Sequence, residues 1–209
     1  GDLSDTYYGN TSLLLHMNGT DGSTTFTDSS SATHTVTGSN ASISTDNSKF
    51  GGSSFEGNGN NSLINVAASS QFNFGTGDFT IEMFINTTTI SLDNNYWRRF
   101  FASDGPTLST QPDGNLQIAI EEPGEQVGNA GCILVRLASS YIYGSDRIDD
   151  GNWHHIAVVR SSGTITLYVD GSADGTLSYT GNVGNFNSGS PRPRIGGFSS
   201  SQGVYEGFL

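Results

Sequence analysis

The most constraining feature of this sequence is that its apolar residues recur at every second position. Phe79, Ile81, Met83 and Ile85 alternate with mostly polar neighbours, and residues 164–169 repeat the pattern. Successive side chains of a β-strand point to opposite faces, so this alternation predicts strands with one apolar face. No stretch has a helical period long enough to predict a helix.

Turn signals separate these apolar runs. Residues 161–163 read Ser-Ser-Gly between two alternating runs and predict a tight hairpin, and Asp170-Gly171 begins the next turn. Further turn signals at 112–115 and 149–152, together with the 28 glycines of the chain, indicate about a dozen short strands. The prediction is an all-β fold, an antiparallel β-sandwich, in a single domain spanning residues 1–209.

Charge excludes one class of partner and the lack of a long apolar run excludes another. The chain has 8 Lys and Arg against 20 Asp and Glu, a net charge of −12. Nucleic-acid binding needs a basic surface that displaces counterions from phosphate, which this chain does not supply. No apolar run approaches the 18 or so residues of a membrane span, so we expect no membrane insertion.

Four residues of the apolar runs have a structural interpretation. Cys132 is the only cysteine and lies in an apolar run, so we expect a buried, unreactive thiol. Trp153 opens a buried strand and is expected to pack between the two sheets. His154 and His155 are adjacent on that strand, so they point to opposite faces and cannot share one metal ion.

Seven segments of the chain resemble the laminin-G-like jelly rolls of the concanavalin A-like lectin/glucanase superfamily. They read LLLHMNGTDGSTTFTDSS at 13–30, KFGGSSF at 49–55, GTGDFTIE at 75–82, DGNWHHIAVVR at 150–160, LYVDG at 167–171, RIGG at 194–197 and YEGFL at 205–209. Within that superfamily the segments look like domains common in bacteriophage virion and tail-fibre proteins. Because such domains usually continue past the Gly207-Phe208-Leu209 position, we expect the chain to stop within its last strand and to belong to a longer protein.

The superfamily includes glucanases, which use two carboxylates flanking one glycosidic bond. In jelly-roll glucanases these carboxylates lie on alternate residues of one strand. Here Glu82 stands alone on its strand, and Glu121, Glu122 and Glu125 lie in a turn-like segment. We therefore expect no catalytic residues and no enzymatic activity.

The resemblance also implies a calcium ion near one rim of the sandwich. Asp28 matches the early turn that supplies a ligand in this family, and Asp21 is a neighbour that could assist. Calcium is held by carboxylate and carbonyl oxygens from loops, as this assignment requires. The alternative is that Asp28 caps the backbone of its own turn.

Two aromatic clusters are candidates for sugar binding. Tyr96, Trp97, Arg98 and Arg99 combine stacking surfaces with hydrogen-bond donors, and residues 141–143 place Tyr141 and Tyr143 on one side of a strand. The alternatives are that Trp97 is a core residue at a strand start and that the tyrosines form a packed sheet face or a subunit contact.

These observations predict a non-catalytic adhesion or decoration module of a larger extracellular assembly. The resemblance favours a bacteriophage fibre or capsid-attached protein at the virion surface, binding host-surface polysaccharide and assembling with other virion subunits as a homo-oligomer. Three alternatives stay open: a purely structural virion protein, a bacterial secreted or cell-surface adhesin, and a glycan-acting enzyme.

Overall fold

The computed structural model describes residues 6–58, 62–88, 98–102, 116–121, 130–184, 193–197 and 206–209. Apart from two short 3-10 turns at Tyr8–Asn10 and Ser70–Phe72, the regular structure there is β. The strands are β1 (Val36–Ser39), β2 (Ser42–Ser44), β3 (Ser54–Asn58), β4 (Leu63–Val66), β5 (Phe79–Asn86), β6 (Arg98–Ala102), β7 (Leu116–Ile120), β8 (Cys132–Leu137), β9 (Ser140–Arg147), β10 (Trp153–Ser161), β11 (Thr164–Val169), β12 (Ser172–Ser178), β13 (Arg194–Ile195) and β14 (Glu206–Phe208).

The strands form two antiparallel sheets of seven strands each. The first sheet has the order β1-β4-β13-β6-β7-β8-β9, and the second has the order β12-β11-β10-β5-β14-β3-β2. The predicted all-β sandwich is confirmed. No helix within the described residues is long and apolar enough to cross a bilayer.

The core lies between the sheets and follows from the alternation in the sequence. Ile133 and Val135 of the first sheet, and Ile156, Val158 and Leu167 of the second, are at most 1% exposed and belong to one apolar cluster. Each such side chain contributes about 1.5–3 kcal/mol relative to an exposed one. The same alternation turns the intervening residues of each strand away from the core.

Two hairpins have the tight turns that the sequence predicts. Ser161 pairs with Thr164, and the two residues between them, Ser162 and Gly163, have φ of 49° and 81°. The Asp170-Gly171 turn repeats this geometry, with φ of 49° and 82°. Two consecutive positive φ angles characterise the turn that matches the right-handed twist of paired strands.

Trp153 does not pack between the sheets, contrary to the sequence prediction. It pairs with Asn86 in unbroken register, which places it with His155 on the face of the second sheet turned away from the core. Its indole Nε1 donates a hydrogen bond to Asn47 Oδ1 at 3.0 Å. A partly buried tryptophan needs a hydrogen-bond acceptor for its indole N–H, and the outward position provides one.

Residues 12–17 do not form a regular strand. Their run of apolar residues, Leu13 to Leu15 and Met17, predicts a buried strand, but the structure has only an isolated bridge there, between Leu15 and Asp28. Met17 has a φ of 54°, a left-handed conformation that a strand does not contain. The hydroxyl of Ser53 accepts from Gly19 N at 3.1 Å and donates to Met17 O at 3.0 Å, fixing this bend.

Candidate functional site

The candidate site is the outer face of the first sheet, the face turned away from the core. Directly paired residues of antiparallel strands share a face, so the pairing register identifies every residue on it. One row crosses all seven strands, and we call it the long row: Thr37, Asn65, Arg194, Ala102, Gln117, Arg136 and Tyr141.

A second row, which we call the short row, runs beside the long row and is displaced from it by two residues along β7, β8 and β9. It consists of Arg99, Ala119, Leu134 and Tyr143. The residues between the two rows, Ile118, Val135 and Ile142, point into the core. The two rows therefore place guanidinium, amide and phenol groups side by side on one surface.

The middle of this face holds a buried polar pair. Arg99 Nε donates to Gln117 Oε1 at 2.9 Å, and the two residues are 2% and 1% exposed. Gln117 Nε2 is also buried and has no hydrogen-bond partner within the described residues. Buried polar atoms are costly unless they are paired, so this nitrogen carries a desolvation cost, and neither side chain is accessible to a ligand on this face.

The β9 end of the face is more accessible and aromatic. The rings of Tyr141 and Tyr143 stack with centroids 5.6 Å apart and planes 18° apart, and the Arg136 guanidinium lies 5.8 Å from the Tyr141 ring centre. All three side chains are partly buried. Burial, with smaller contributions from the charges of Tyr141 and Glu121, raises the pKa of the Tyr143 phenol, so its hydroxyl remains a hydrogen-bond donor at neutral pH.

The structure brings together three of the six predicted sugar-binding residues. Arg99, Tyr141 and Tyr143 come from separate sequence clusters and share the outer face. The stacking of the two tyrosines confirms that they lie on one side of a strand. Their role in binding sugar stays a prediction.

Arg98 and Arg99 are not exposed, although a sugar-binding cluster on a surface loop requires exposed side chains. Both belong to β6 and are buried, and Arg98 pairs with the core residue Ile120, so it does not share the face of Arg99. The reason is that strand pairing begins at Arg98. Tyr96 and Trp97 lie outside the described residues.

Sequence reasoning missed three residues of the long row: Gln117, Arg136 and Arg194. Gln117 lies in an alternating run, between Leu116 and Ile118, and that alternation alone would have turned it away from the core. Arg136 has the same signal in β8. Arg194 joins them only through the pairing of β13 with β4 and β6, two neighbours that no local pattern reveals.

The proposed calcium ligands do not fit a calcium ion. The two carboxylate oxygens of Asp28 accept hydrogen bonds from Leu14 N, Ser30 N, Ser30 Oγ and His34 N at 2.8–3.0 Å. Donors converging on these oxygens occupy the positions that a cation would need. Asp28 therefore caps its own turn, the alternative interpretation.

The electrostatics of Asp28 agree with this structural role. Burial alone would raise its pKa, but the hydrogen bonds from Ser30, Leu14 and His34 outweigh burial and hold the pKa below its ordinary value of 3.8. Among the described residues, Asp21 accepts one hydrogen bond, from Thr45 N at 3.2 Å. Within the described part of the chain no group of three His, Cys, Asp or Glu side chains could hold a metal ion.

Carboxylates lie beside the ring nitrogens of the two adjacent histidines. His154 Nδ1 lies 2.8 Å from Asp170 and Nε2 lies 3.0 Å from Asp150, which ties together the segment before β10 and the turn after β11, at the same end of that hairpin. His155 Nε2 lies 3.4 Å from Glu82 on the opposite face. The two histidines thus diverge, as predicted. Glu122 and Glu125 lie outside the described residues.

Comparison with known proteins identifies the family to which this fold belongs. A family model described as the concanavalin A-like lectin/glucanases superfamily matches residues 56–209. No curated protein sequence shows significant similarity to the chain.

Two solved structures resemble the chain in fold. The binding domain of Paraclostridial Mosquitocidal Protein 1 is 17% identical, with a TM-score of 0.57, and the match covers 88% of this chain but only 47% of that one. Domain 4 of AbnA, a GH43 extracellular arabinanase from Geobacillus stearothermophilus solved with arabinotriose, is 17% identical, with a TM-score of 0.58 and coverage of 87% and 82%. At this identity the likeness concerns the fold.

Proposed function

Because the chain belongs to the concanavalin A-like lectin/glucanases superfamily, we propose that it is a non-catalytic carbohydrate-binding domain that works outside the cell. The observation that carries the proposal is the β9 end of the outer face, where the stacked rings of Tyr141 and Tyr143 and the Arg136 guanidinium lie together and are partly exposed. Aromatic rings provide flat apolar surfaces for sugar rings, and fixed polar groups select the hydroxyl pattern.

The polar geometry at this end of the face supports this function. Arg136 Nε donates to Ala138 O at 3.1 Å, and the Arg136 guanidinium lies 5.8 Å from the Tyr141 ring centre, so the arginine is held beside the ring. Pre-oriented side chains lower the entropic cost of binding.

The similar structures are consistent with a carbohydrate ligand. AbnA domain 4 was solved in complex with arabinotriose, and the mosquitocidal protein domain is a binding domain. We extend the proposal to a setting: an adhesion or decoration module of a larger assembly, with a bacteriophage virion preferred over a bacterial cell surface. The preference rests on the sequence resemblance. In this setting the ligand is host-surface polysaccharide and the chain is one of several copies.

The second candidate function is a purely structural one, in which the same face contacts another protein. The observation that favours it is the stacked, partly exposed pair of Tyr141 and Tyr143 on β9. Aromatic residues are enriched at protein interfaces.

The experiment is a glycan-array and cell-envelope polysaccharide binding screen, performed with calcium and again with EDTA. Saturable binding in both conditions supports the proposal as stated, without a metal. Binding lost in EDTA supports a calcium-dependent lectin and contradicts the structural role of Asp28. A folded protein that binds no glycan in either condition, but forms stable oligomers or captures other virion subunits, favours the structural role.

A further inference from the structure

A second set of aromatic rings lies on the outer face of the second sheet, on the opposite side of the sandwich from Tyr141 and Tyr143. Phe84 of β5 pairs with His155 of β10, so the two side chains share that face, and their ring centroids are 4.8 Å apart. Phe50, from the segment between β2 and β3, packs against Phe84 edge to face, with centroids 5.2 Å apart. We call Phe50, Phe84 and His155 the ring cluster.

The ring cluster is accessible from solvent. Phe50 is 66% exposed, and Phe84 and His155 are partly exposed. The middle of the first sheet's outer face is closed by comparison, since Gln117 there is 1% exposed. Single exposed apolar residues are common on protein surfaces. Here the exposed ring adjoins two further partly exposed rings, and a continuous apolar surface of this kind indicates a contact site.

The segment that carries Phe50 is fixed on both sides of this residue. Before it, Asn47 Oδ1 accepts the hydrogen bond from Trp153 Nε1 on the same outer face, at 3.0 Å. After it, Gly51 has a φ of 67° and packs so closely against Asn18 that a Cβ atom at this position would collide with the Asn18 amide oxygen. The position of the Phe50 backbone is therefore set before a ligand arrives, which lowers the entropic cost of binding.

Two side chains of opposite charge flank the rings. Lys49 is the one lysine of the chain and is exposed, and its Nζ lies 5.4 Å from the Phe84 ring centre. Glu82, two residues before Phe84 on the same face, has a side chain that is 65% exposed, and its Oε2 lies 3.4 Å from His155 Nε2. The ammonium group donates hydrogen bonds and the carboxylate accepts them. Because the two charges balance, this surface suits a neutral ligand rich in hydroxyl groups.

The rest of this face favours a sugar over a protein as the ligand. The outward positions beside the ring cluster are mainly hydroxyl side chains: Thr80, Ser161, Thr164, Thr166 and Thr176. A stable protein interface buries about 800 Å² on each partner around an apolar centre, more than three partly buried rings supply. A sugar ring is similar in size to one aromatic ring and combines an apolar C–H face with hydroxyl groups at its edge.

We propose that the ring cluster is a second carbohydrate site that binds neutral sugars. Phe50 is its stacking residue, and Lys49 and Glu82 form hydrogen bonds with the sugar hydroxyls. The inference rests on the proposed carbohydrate-binding function and adds an independent site to it. Two sites on opposite faces let one domain hold two polysaccharide chains, or two parts of one chain, and such linkage raises the overall affinity.

The test maps the contacts of neutral sugars on the whole chain by NMR. Isotope-labelled protein is titrated with arabinotriose, maltotriose, cellotriose and mannotriose, and with each glycan found in the wider screen. We expect at least one neutral sugar to shift the backbone amides of Phe84 and His155. The affinity of this sugar should not change when salt is raised from about 0.05 to 0.5 M, because salt screens interactions of charged ligands.

The variant Phe50→Ala then assigns these shifts to the ring cluster. Because Phe50 is 66% exposed, the variant should fold as the wild type does. We expect it to weaken sugar binding at Phe84 and His155 about tenfold, since it removes an aromatic contact, and to leave any binding at Tyr141 unchanged. Tyr7→Ala is the matched control, because Tyr7 is 74% exposed and precedes the N-terminal 3-10 turn, outside the ring cluster.

Three results would overturn the inference. Sugar-induced shifts confined to the tyrosines of β9 contradict the second site and leave the carbohydrate-binding function standing. Shifts at the ring cluster that persist in Phe50→Ala, or that disappear equally in Tyr7→Ala, show that Phe50 is not the stacking residue. A folded chain with no shift at either surface, and no binding in the wider screen, removes the proposed function together with the inference.

Discussion

Tyr141 and Tyr143 stack on the outer face of β9, with ring centroids 5.6 Å apart and ring planes 18° apart. Two residues of one strand that share a face are separated by one intervening residue, here the core residue Ile142. Because Ile142 is packed in the core, the backbone positions of the two tyrosines on either side of it are fixed. The result is a rigid aromatic surface beside the arginines and the amide of the long row.

The stacked pair leads to a prediction about affinity. Tyr141→Ala or Tyr143→Ala should each weaken glycan binding about tenfold, because each removes an aromatic contact of roughly 0.5–1.5 kcal/mol together with the burial of its ring. Isothermal calorimetry with the glycan found in the screen measures the change. Tyr168→Ala, which alters a partly buried tyrosine of the second sheet, should leave the affinity unchanged. A loss as large in Tyr168→Ala would contradict the placement of the site.

Asp28 leads to a prediction about stability and calcium. Asp28→Asn removes an acceptor oxygen from a carboxylate that binds four donors, so we expect a loss of about 1–3 kcal/mol in the free energy of unfolding at neutral pH. The folded pKa is lowered, so this contribution is present above the unfolded pKa and disappears as pH falls through the folded pKa. Urea denaturation at several pH values measures both effects.

The control for Asp28 is Asp21→Asn, which alters an exposed carboxylate with one weak backbone hydrogen bond. We expect it to change stability by less than about 0.5 kcal/mol. Calcium should not raise the melting temperature of the wild-type protein. A calcium-dependent increase that vanishes in Asp28→Asn would restore the metal-ligand interpretation of this residue.

The regular parts of the fold could be predicted because local patterns determine them. The alternation around Ile81 and Ile165 and the two-residue turns at Ser162 and Asp170 each have a direct physical cause within a few residues. The face of Trp153 could not be predicted in the same way. Aromatic residues suit either side of a strand when a polar partner is near, and that partner, Asn47, is distant in sequence.

The candidate site was predicted only in part for a similar reason. The tyrosines of β9 lie two residues apart, so the sequence alone places them together. Arg194, Gln117 and Arg136 come from three strands that adjoin only in the folded sheet, and their row is defined by cross-strand register. Register depends on long-range pairing, which a single sequence does not reveal.

His154 leads to a prediction about pH. Burial alone would lower the pKa of His154, but the hydrogen bonds and charges of Asp150 and Asp170 outweigh burial and raise that pKa above its ordinary value of 6.5. Stability gained from the charged imidazole is then fully present below the unfolded pKa and is lost as pH rises through the folded pKa. His154→Gln should be less stable than wild type in mildly acidic buffer, with a smaller difference in alkaline buffer.

The urea midpoint as a function of pH measures this effect. The double variant Asp150→Asn/Asp170→Asn keeps His154 and removes both of its carboxylate partners, so it should lose the same pH-dependent contribution. A double variant that retains the wild-type pH profile would show that another group produces it.

Gly196 leads to a prediction about packing. It has a φ of 82°, and a Cβ atom there would lie 2.7 Å from Cζ of the fully buried Phe55. Gly171 has the same φ but no atom within 4 Å of its Cβ position. Gly171→Ala should cost about 1–2 kcal/mol for backbone strain, and Gly196→Ala should cost about 1–3 kcal/mol more for overpacking. Chemical denaturation of the pair separates the two costs, and equal losses would contradict the contact with Phe55.

Cys132 leads to a prediction about reactivity. It is 3% exposed, and burial, with the negative charge of Asp174 adding to it, raises the pKa of its thiol to about 11. The thiolate is the reactive form, so at neutral pH the native protein should react with a thiol reagent far more slowly than a small-molecule thiol does. Labelling with a chromogenic disulfide reagent should therefore be slow without denaturant and complete in concentrated urea. Rapid stoichiometric labelling of the native protein, with no change in its circular dichroism, would show that the outer face around Cys132 opens to solvent.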